Sequence, residues 1–585
     1  MKKEEAVEQS LKYFDGDTLA AGVFVDKYAL KTPAGDILEA TPDDMHRREA
    51  KEFARIESKY LNPMSEEEIY ELLKGFKYII PQGSPMSGIG NPYQIVSLSN
   101  CFVVKGPEDS YSGILRTDQE QVQIMKRRGG VGFDISNIRP KGLNTSNAAK
   151  TTDGIGVFME RFSNSCREVA QGGRRGALML TISVHHPEIE TFINIKRDLK
   201  KVTGANISIR LTDEFMNAVE KGEDVELRFP VDSITPKITR KVSALQLWNQ
   251  IIDGAHASAE PGLLFWDTVN RTTPAHCYPE FISESTNPCG EIVLSPYDSC
   301  RLLLLNVLSF VINPFTENTF FDFEKFAEVS QKAQRLMDDM IDLELECIDR
   351  ILQKIDADPE DEETKRVEKN LWLKIKNVCA KGRRTGTGVT AIGDAVAAMN
   401  LTYGSDASVA FVESVYKTLT TNCYISTIEM AKERGAFPAF DYEKEKDHAF
   451  LNQVIDSSSR EKWKKYGRRN IALTTTAPAG SVSCLTQTTS GIEPAFEVVY
   501  KRRRKIMDQT SKVDFVDAMG DKWEEYNVYH HQYKKWMALS GKSSVEDSPY
   551  WKSCANDIDW VAKVKIQAAA QKWICHSISN TTNLT

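Results

Sequence analysis

Apolar positions along the chain change period repeatedly, and the changes divide it into elements. Residues 1 to about 75 carry helix-period patterning, with Met45 to Tyr60 rich in Arg, Glu and Ala and closed by Asn62-Pro63. From Pro81 the texture shifts to Gly, Pro, Ser and short β-branched runs such as Gln94-Ile95-Val96. Thr117-Asp118-Gln119-Glu120 has the form of a capping box, predicting a helix that carries Val122 and Met125 and stops at Gly129-Gly130. A strand over Val131-Gly132-Phe133 is expected next. Phe158, Phe162, Cys166 and Val169 predict a helix from about Val157 to Ala170, ended by Gly172-Gly173.

Further strands are expected at Ala177 to Val184, Asn206 to Leu211, Gly262 to Trp266, Leu302 to Phe310, Gly386 to Thr390 and Ile471 to Thr475. The longest helix is predicted from Glu324 to Ile355, on a seam running from Phe326 to Ile351. The charge-dense stretch Asp356 to Lys369 reads as a solvated excursion. Strand and helix alternation of this extent indicates an α/β class, and the number of units exceeds one short sheet, which makes a barrel the expected architecture. A helical N-terminal subdomain over 1–75 and a barrel over 76–585 are the expected divisions.

Composition narrows the function classes. The 585 residues hold 74 Lys+Arg against 82 Asp+Glu, a net charge of −8, with 41% hydrophobic and 27% charged residues. Those values exclude a disordered, collagenous or coiled-coil chain, and the acidic balance argues against nucleic-acid binding by bulk charge. Basic clusters at Lys501 to Lys505 and Gly172-Gly173-Arg174-Arg175 suit small anionic ligands instead. Met1-Lys2-Lys3-Glu4-Glu5 leads into no apolar secretory stretch. The longest apolar run, Leu302 to Phe315, is interrupted by Asn306, Ser309 and Asn313 and falls short of the ~20 residues that span a bilayer. A cytoplasmic location without membrane attachment is expected. Eleven cysteines without CxxC or zinc-type spacing are expected to be mostly free thiols with no metal site. His185-His186 reads as a surface pair at a strand end.

The most informative stretch is Asn287-Pro288-Cys289-Gly290-Glu291. Pro and Gly flank the cysteine, so its thiol is expected at the tip of a sharp turn, with a carboxamide and a carboxylate two residues to either side. A cysteine packed in a core has no need of those neighbours.

This loop resembles the Asn-x-Cys-x-Glu finger loop of ribonucleotide reductase catalytic subunits, and further segments match in the expected order. Ser97-Leu98-Ser99-Asn100-Cys101 and Pro296-Tyr297-Asp298-Ser299-Cys300 resemble the strands bearing the two redox cysteines. Gln171 to Ala177 resembles the effector-reading loop, and Thr476-Ala477-Pro478-Ala479-Gly480-Ser481 the substrate-phosphate turn. The opening, from Tyr13-Phe14 to Arg47-Arg48, is similar to the coenzyme B12-dependent class II enzymes. The resemblance implies a ten-stranded α/β barrel with a central finger loop, reducing ribonucleotides to 2′-deoxyribonucleotides with adenosylcobalamin as radical source. A class I subunit supplied by a separate radical-generating metal subunit, and a nucleotide-binding remnant without full catalysis, are the alternatives.

Roles follow residue by residue from the resemblance. Removing a 2′-hydroxyl is easier from a 3′ radical than by polar chemistry, and sulfur suits the abstraction because its radical lies close in energy to a carbon radical alpha to oxygen. Cys289 is then the thiyl, Glu291 the general base, Asn287 its hydrogen-bonding companion, and Cys101 with Cys300 the pair that closes to a disulfide each turnover. Ser84, Ser99, Asn100, Asn287, Glu291, Pro478, Ala479, Gly480, Ser481 and Val482 are implied substrate contacts, with Ala479 acting through main chain only. Asp118, Gln119, Gln171, Arg174 and Arg175, with the loop 137–153, are implied to hold and read a deoxynucleoside triphosphate effector. The implied partners are the ribonucleotide, that effector, a thioredoxin-like or small dithiol reductant, and a second copy joined through helices near 118–128 and 157–170. Cys166, Cys277, Cys347, Cys379, Cys423, Cys484, Cys554 and Cys575 read as packing residues. Arg301-Leu302-Leu303-Leu304-Leu305-Asn306 departs from the family's Gly-Ser-Ile-Asn-like strand after Cys300, which leaves the packing behind the pair open. In the family a last strand and a cysteine-bearing tail follow the motif at Ser577–Thr585, so a truncated or split chain is expected.

Overall fold

A computed structural model describes residues 1–148, 150–169, 176–505, 513–516 and 522–581. Four helices lead: α1 (Lys3–Tyr13), α2 (Thr18–Lys27), α3 (Pro42–Glu57) and α4 (Glu66–Leu73). The strand β1 (Ile79–Pro81), the short helix α5 (Ser84–Gly88) and β2 (Cys101–Val103) follow. Next come α6 (Tyr111–Met125), β3 (Gly130–Asp134), α7 (Ile155–Glu168), β4 (Leu178–Ser183) and β5 (Asn206–Leu211).

One half of the molecule is the parallel run β2-β3-β4-β5 completed by Gly262–Phe265. β3 and β4 are buried along their whole length because helices cover one face and the barrel interior the other, so they are near-continuous apolar runs. The other half pairs β1 antiparallel to Leu302–Asn306, which runs parallel to Gly386–Thr390. Single parallel bridges then join Thr387 to Thr474 and Thr476 to Ile578. Ser299–Cys300 pairs antiparallel with β2 and leads through Arg301 into Leu302–Asn306, so one stretch of chain touches both halves. The result is an α/β barrel to which, among the described residues, five segments contribute on each side.

The long helix Phe323–Ala357 lies across both halves, packing Phe326 to Leu343 in one apolar cluster and Ile348 to Ile355 in another. Its seam also buries Asp338, which accepts hydrogen bonds from Arg383 Nε at 2.8 Å, Arg434 Nη1 at 3.0 Å, Arg469 Nε at 3.1 Å and Asn470 Nδ2 at 2.9 Å. Those guanidinium groups hold the Asp338 carboxyl well below the usual carboxylate range against the opposing effect of burial. The leading helices share their cores with the barrel: Phe24, Val25 and Met45 pack with Leu304, Ala479 and Val482.

Five expectations are corrected. Helix α6 starts two turns before Thr117, at Ser110, whose hydroxyl accepts from Gly113 N at 3.0 Å; Gly113 lies so close to Glu108 that a side chain would not fit. Thr117 is therefore buried mid-helix. Only Leu302–Asn306 of the expected Leu302–Phe310 strand is extended, a 3₁₀ turn following at Val307. Ile471–Thr475 forms no full strand and makes one bridge, because its N–H and C=O groups reach Gly386–Thr390 only around Thr387. The charged stretch after Asp356 is solvent-exposed over most of 356–364 as expected, but its second part is docked: Asp361 caps a helix Glu362–Gly382, whose buried Glu368 takes Lys126 Nζ at 2.6 Å and Arg127 Nη2 at 3.5 Å. His185 and His186 are buried, bonded to Glu226 O and Ile138 O at 3.0 and 2.9 Å, and burial pushes His186 down to about 4.

Candidate active site

The finger loop is a hairpin between Ser285–Thr286 and Val293–Leu294, paired antiparallel. Asn287 closes it with three bonds: its N–H donates to Ile292 O at 3.2 Å, its Oδ1 accepts from Ile292 N at 2.9 Å, and its carbonyl accepts from Gly290 N at 3.0 Å. Gly290 sits at φ +82°, a conformation that favours glycine and makes the turn after Cys289 sharp. β3 lets the loop pass because it lacks side chains there. A Cβ on Gly132 would overlap the Thr286 carbonyl oxygen, and one on Gly130 would lie 2.9 Å from Pro288 Cγ. Asn206 Nδ2 holds Pro288 O at 2.8 Å from one half of the barrel. Thr475 Oγ1 and Ser577 N hold Glu291 O at 2.8 and 2.9 Å from the other.

The three cysteines singled out in the sequence converge here. Cys101 and Cys300 are register partners across the antiparallel pair, both buried, and Asn287 Nδ2 donates to Cys101 Sγ at 3.2 Å. Cys289 stands exposed at the loop tip, and all three are free thiols. Surrounding barrel atoms nevertheless desolvate Cys289, which together with the Glu291 charge pushes its thiol up to about 12. Burial raises Cys101 and Cys300 as well. Glu291 is buried, its Oε2 has no hydrogen-bond partner among the described residues, and burial pushes its carboxyl up to about 7 against the lowering effect of Asn287. Thiols held neutral are poor nucleophiles and poor metal ligands, but each retains a hydrogen atom to exchange. Beside them is a carboxyl poised to take or give a proton near neutrality.

The implied phosphate contacts lie on two turns. Gly83, at φ +66°, precedes buried Ser84; Asn100 Oδ1 accepts from Ser84 N at 2.7 Å while its Nδ2 donates to Gln82 O at 3.0 Å. Asn100 thus shapes the turn. Gln82 Nε2 donates to Pro478 O, joining this turn to the second one. Gly480, at φ +55°, caps the short helix Ser481–Thr486, and Ser481 Oγ meets Tyr28 OH at 2.6 Å. Ala479 N–H is already bonded to Ser490 Oγ at 2.8 Å and Val482 N–H to Ala479 O at 3.0 Å. The expected main-chain contact therefore falls to Gly480 and Ser481. Ser99 is buried, its hydroxyl donating to Glu344 Oε1 at 2.9 Å.

The implied effector residues are less assembled. Asp118 is buried and accepts from Gln121 Nε2 at 2.8 Å and Arg161 Nε at 3.0 Å, which ties α6 to α7. Gln119 is exposed, and Gln171, Arg174 and Arg175 lie outside the described residues. A cavity of about 160 Å³ opens beside the loop 137–153, lined by Asp109, Tyr111, Arg139 and Asn147. Among the described residues no cluster of His, Cys, Asp or Glu could hold a metal ion, and no helix is long and apolar enough to cross a membrane.

Behind the cysteine pair lies a buried layer that the sequence reading missed. Glu344 accepts from Ser97 Oγ at 2.5 Å and Leu98 N at 2.6 Å. Arg301 donates to Cys379 Sγ at 2.9 Å and to Ser299 O and Arg384 O at 2.8 and 3.0 Å. Arg384 Nε in turn meets Asp298 Oδ2 at 2.7 Å. The available signal was a carboxylate, Glu344, on the apolar seam of a helix, and an arginine where the family has glycine.

The ribonucleotide reductase barrel-domain model matches residues 99–585. The chain belongs to the ribonucleotide reductase family. The vitamin B12-dependent ribonucleoside-diphosphate reductase of Thermoplasma acidophilum is 29% identical over 513 residues, covering 86% of this chain and 60% of the relative. The protein of the same name from Mycobacterium tuberculosis is 29% identical over 488 residues, covering 83% and 62%. The ribonucleoside-diphosphate reductase large chain of Neurospora crassa is 25% identical over 475 residues, covering 74% and 48%. The chain thus spans about 60% of the length of the first two reductases. Of the segments on which the resemblance rests, all but Ser97-Leu98 and the N-terminal opening fall inside the matched reductase barrel.

Proposed function

We propose that the chain is a ribonucleotide reductase catalytic chain of class II, working by a thiyl radical at Cys289. The observation that carries this reading is the placement of an accessible, neutral Cys289 beside a buried Glu291 carboxyl whose Oε2 has no partner among the described residues, with two buried thiols in register next to them. Cys289, once its S–H hydrogen is removed, takes the 3′-hydrogen of the ribose. Glu291 accepts the 3′-hydroxyl proton. The 2′-hydroxyl leaves as water with a proton from one of the Cys101 and Cys300 thiols, the hydrogen of the other goes to the 2′ carbon, and the two sulfurs, having given two electrons, close to a disulfide; Glu291 returns its proton to the 3′ oxygen and Cys289 its hydrogen to the 3′ carbon. A thioredoxin-like protein or small dithiol reopens the disulfide.

The first relatives are named as vitamin B12-dependent, and adenosylcobalamin, a B12 coenzyme, would supply the one-electron abstraction from Cys289. The residues present fit such a group. The thiol at the loop tip is exposed and keeps its hydrogen, so a group bound against the loop tip could reach it. Specificity would be set by a deoxynucleoside triphosphate read through Gln171, Arg174 and Arg175, held by Asp118, Gln119 and the loop 137–153 at the interface of a homodimer formed by α6 and α7. The location is cytoplasmic.

The test is ribonucleotide reduction by the chain with adenosylcobalamin and a small dithiol, without a second protein. Deoxynucleotide formation and release of substrate 3′-hydrogen are expected. Turnover only after addition of a metal-containing partner would overturn class II. Deoxynucleotide binding with no reduction under either condition would leave a regulatory remnant as the function.

A further inference from the structure

Between α2, α5 and the end of α6 lies a cavity of about 390 Å³ whose walls carry Lys27, Lys31, Lys126 and Arg128. The acid in its lining, Asp26, has its carboxylate tied to Lys3 at 2.6 Å. Lys126 is paired with Glu368 at 2.6 Å, and Arg128 donates to Ser87 Oγ and Gln94 Oε1 at 3.2 and 3.3 Å. Lys27 and Lys31 have no carboxylate within ion-pair distance among the described residues, although the chain as a whole is acidic; Lys31 Nζ bonds only the Asp26 carbonyl, at 2.9 Å.

Cations gathered around a half-enclosed space repel one another more strongly than at an open surface, since less water screens them. An anion entering the space removes that penalty, and ammonium groups beside hydroxyl and amide donors are the chemistry that recognises phosphate oxygens. Burial above all, with the charges of Lys3 and Arg128, lowers the Lys31 pKa although Asp26 opposes them. Tyr28 and Ser87 also line the cavity, and Tyr28 is the residue that meets Ser481 of the phosphate turn.

We propose that this cavity is an anion site of its own, taking a phosphate-bearing ligand up to nucleotide size on Lys27, Lys31 and Arg128, separate from the substrate and effector sites. It does not depend on the radical mechanism.

The test uses the full chain and follows modification of the Lys31 amine by a lysine-reactive reagent, with peptide mass spectrometry as readout. Tripolyphosphate, ATP and sodium chloride matched in ionic strength are compared. Tripolyphosphate is expected to slow modification at Lys31 by about tenfold at saturation, and Lys27→Gln to weaken that protection by about tenfold in concentration, the scale of one phosphate contact. Equal protection by ATP and tripolyphosphate would assign the site to a polyphosphate group alone; protection by ATP at lower concentration would assign it to a nucleotide. Either result, if weakened by Lys27→Gln, supports the site. Protection no greater than with matched salt, or protection unchanged in Lys27→Gln, would overturn it.

Discussion

Asn287 joins the finger loop to the first cysteine of the pair: its side-chain Nδ2 donates to Cys101 Sγ at 3.2 Å while its side-chain Oδ1 accepts from Ile292 N at 2.9 Å. One side chain therefore sets both the shape of the loop and its distance from the redox pair. Asn287→Leu keeps the volume and removes both bonds, each worth roughly 1 kcal/mol and more where a buried partner is orphaned. Turnover is expected to fall about 10- to 100-fold, with faster alkylation of Cys101 in the folded protein.

Cys289→Ser should abolish reduction while nucleotide binding persists, since the turns at Ser84 and Gly480–Ser481 are untouched. Cys101→Ser or Cys300→Ser should still permit 3′-hydrogen exchange but stop before product. Product analysis beside hydrogen release separates the two classes of variant; normal turnover in Cys289→Ser would refute the radical assignment.

Burial pushes Glu291 up to about 7. A base must be ionised to act, and a raised carboxyl is ionised only above its own pKa, so activity should be lost as pH falls through about 7 and level off above it, until other groups titrate. The acid limb of the kcat profile measures this. Glu291→Gln should lower activity and remove that limb.

Gly132→Ala would drive a methyl group into the Thr286 carbonyl. Because the clash is with backbone, relief requires moving the hairpin, with an expected loss of about 1–3 kcal/mol in stability and most of the activity. Gly22→Ala in α2 is the control: nothing lies within 4 Å of the added carbon, and a gain of up to about 1 kcal/mol is expected from helix propensity. Thermal unfolding of the two variants should shift in opposite directions.

Arg384 and Asp298 are both fully buried beneath the cysteine pair and meet at 2.7 Å. Arg384→Met leaves the Asp298 carboxylate buried without its cation, an expected cost of about 3–5 kcal/mol, whereas Arg384→Met combined with Asp298→Asn should recover part of it. Denaturant unfolding of the single and double variants checks the sign of the coupling.

The sequence alone determined the elements whose cause is local. Helix-period seams placed Phe323–Ala357 to within two residues, the buried strand over Gly386–Thr390 was read at its true bounds, and Pro288 and Gly290 marked the turn that exposes Cys289. Ordered motifs also indicated the family. Tertiary structure decided what depends on residues far apart in the chain. Whether Cys300 faces Cys101 is a matter of strand register, which pattern leaves free, and the passage of the loop beside Gly130 and Gly132 requires two elements to be brought within van der Waals contact. Charge was the least legible signal. Glu344, Arg301, Asp338 and Glu368 look like solvated residues in one dimension, because a charge reveals its partner only when folding places an opposite charge or hydrogen-bonding groups beside it in a space that excludes water.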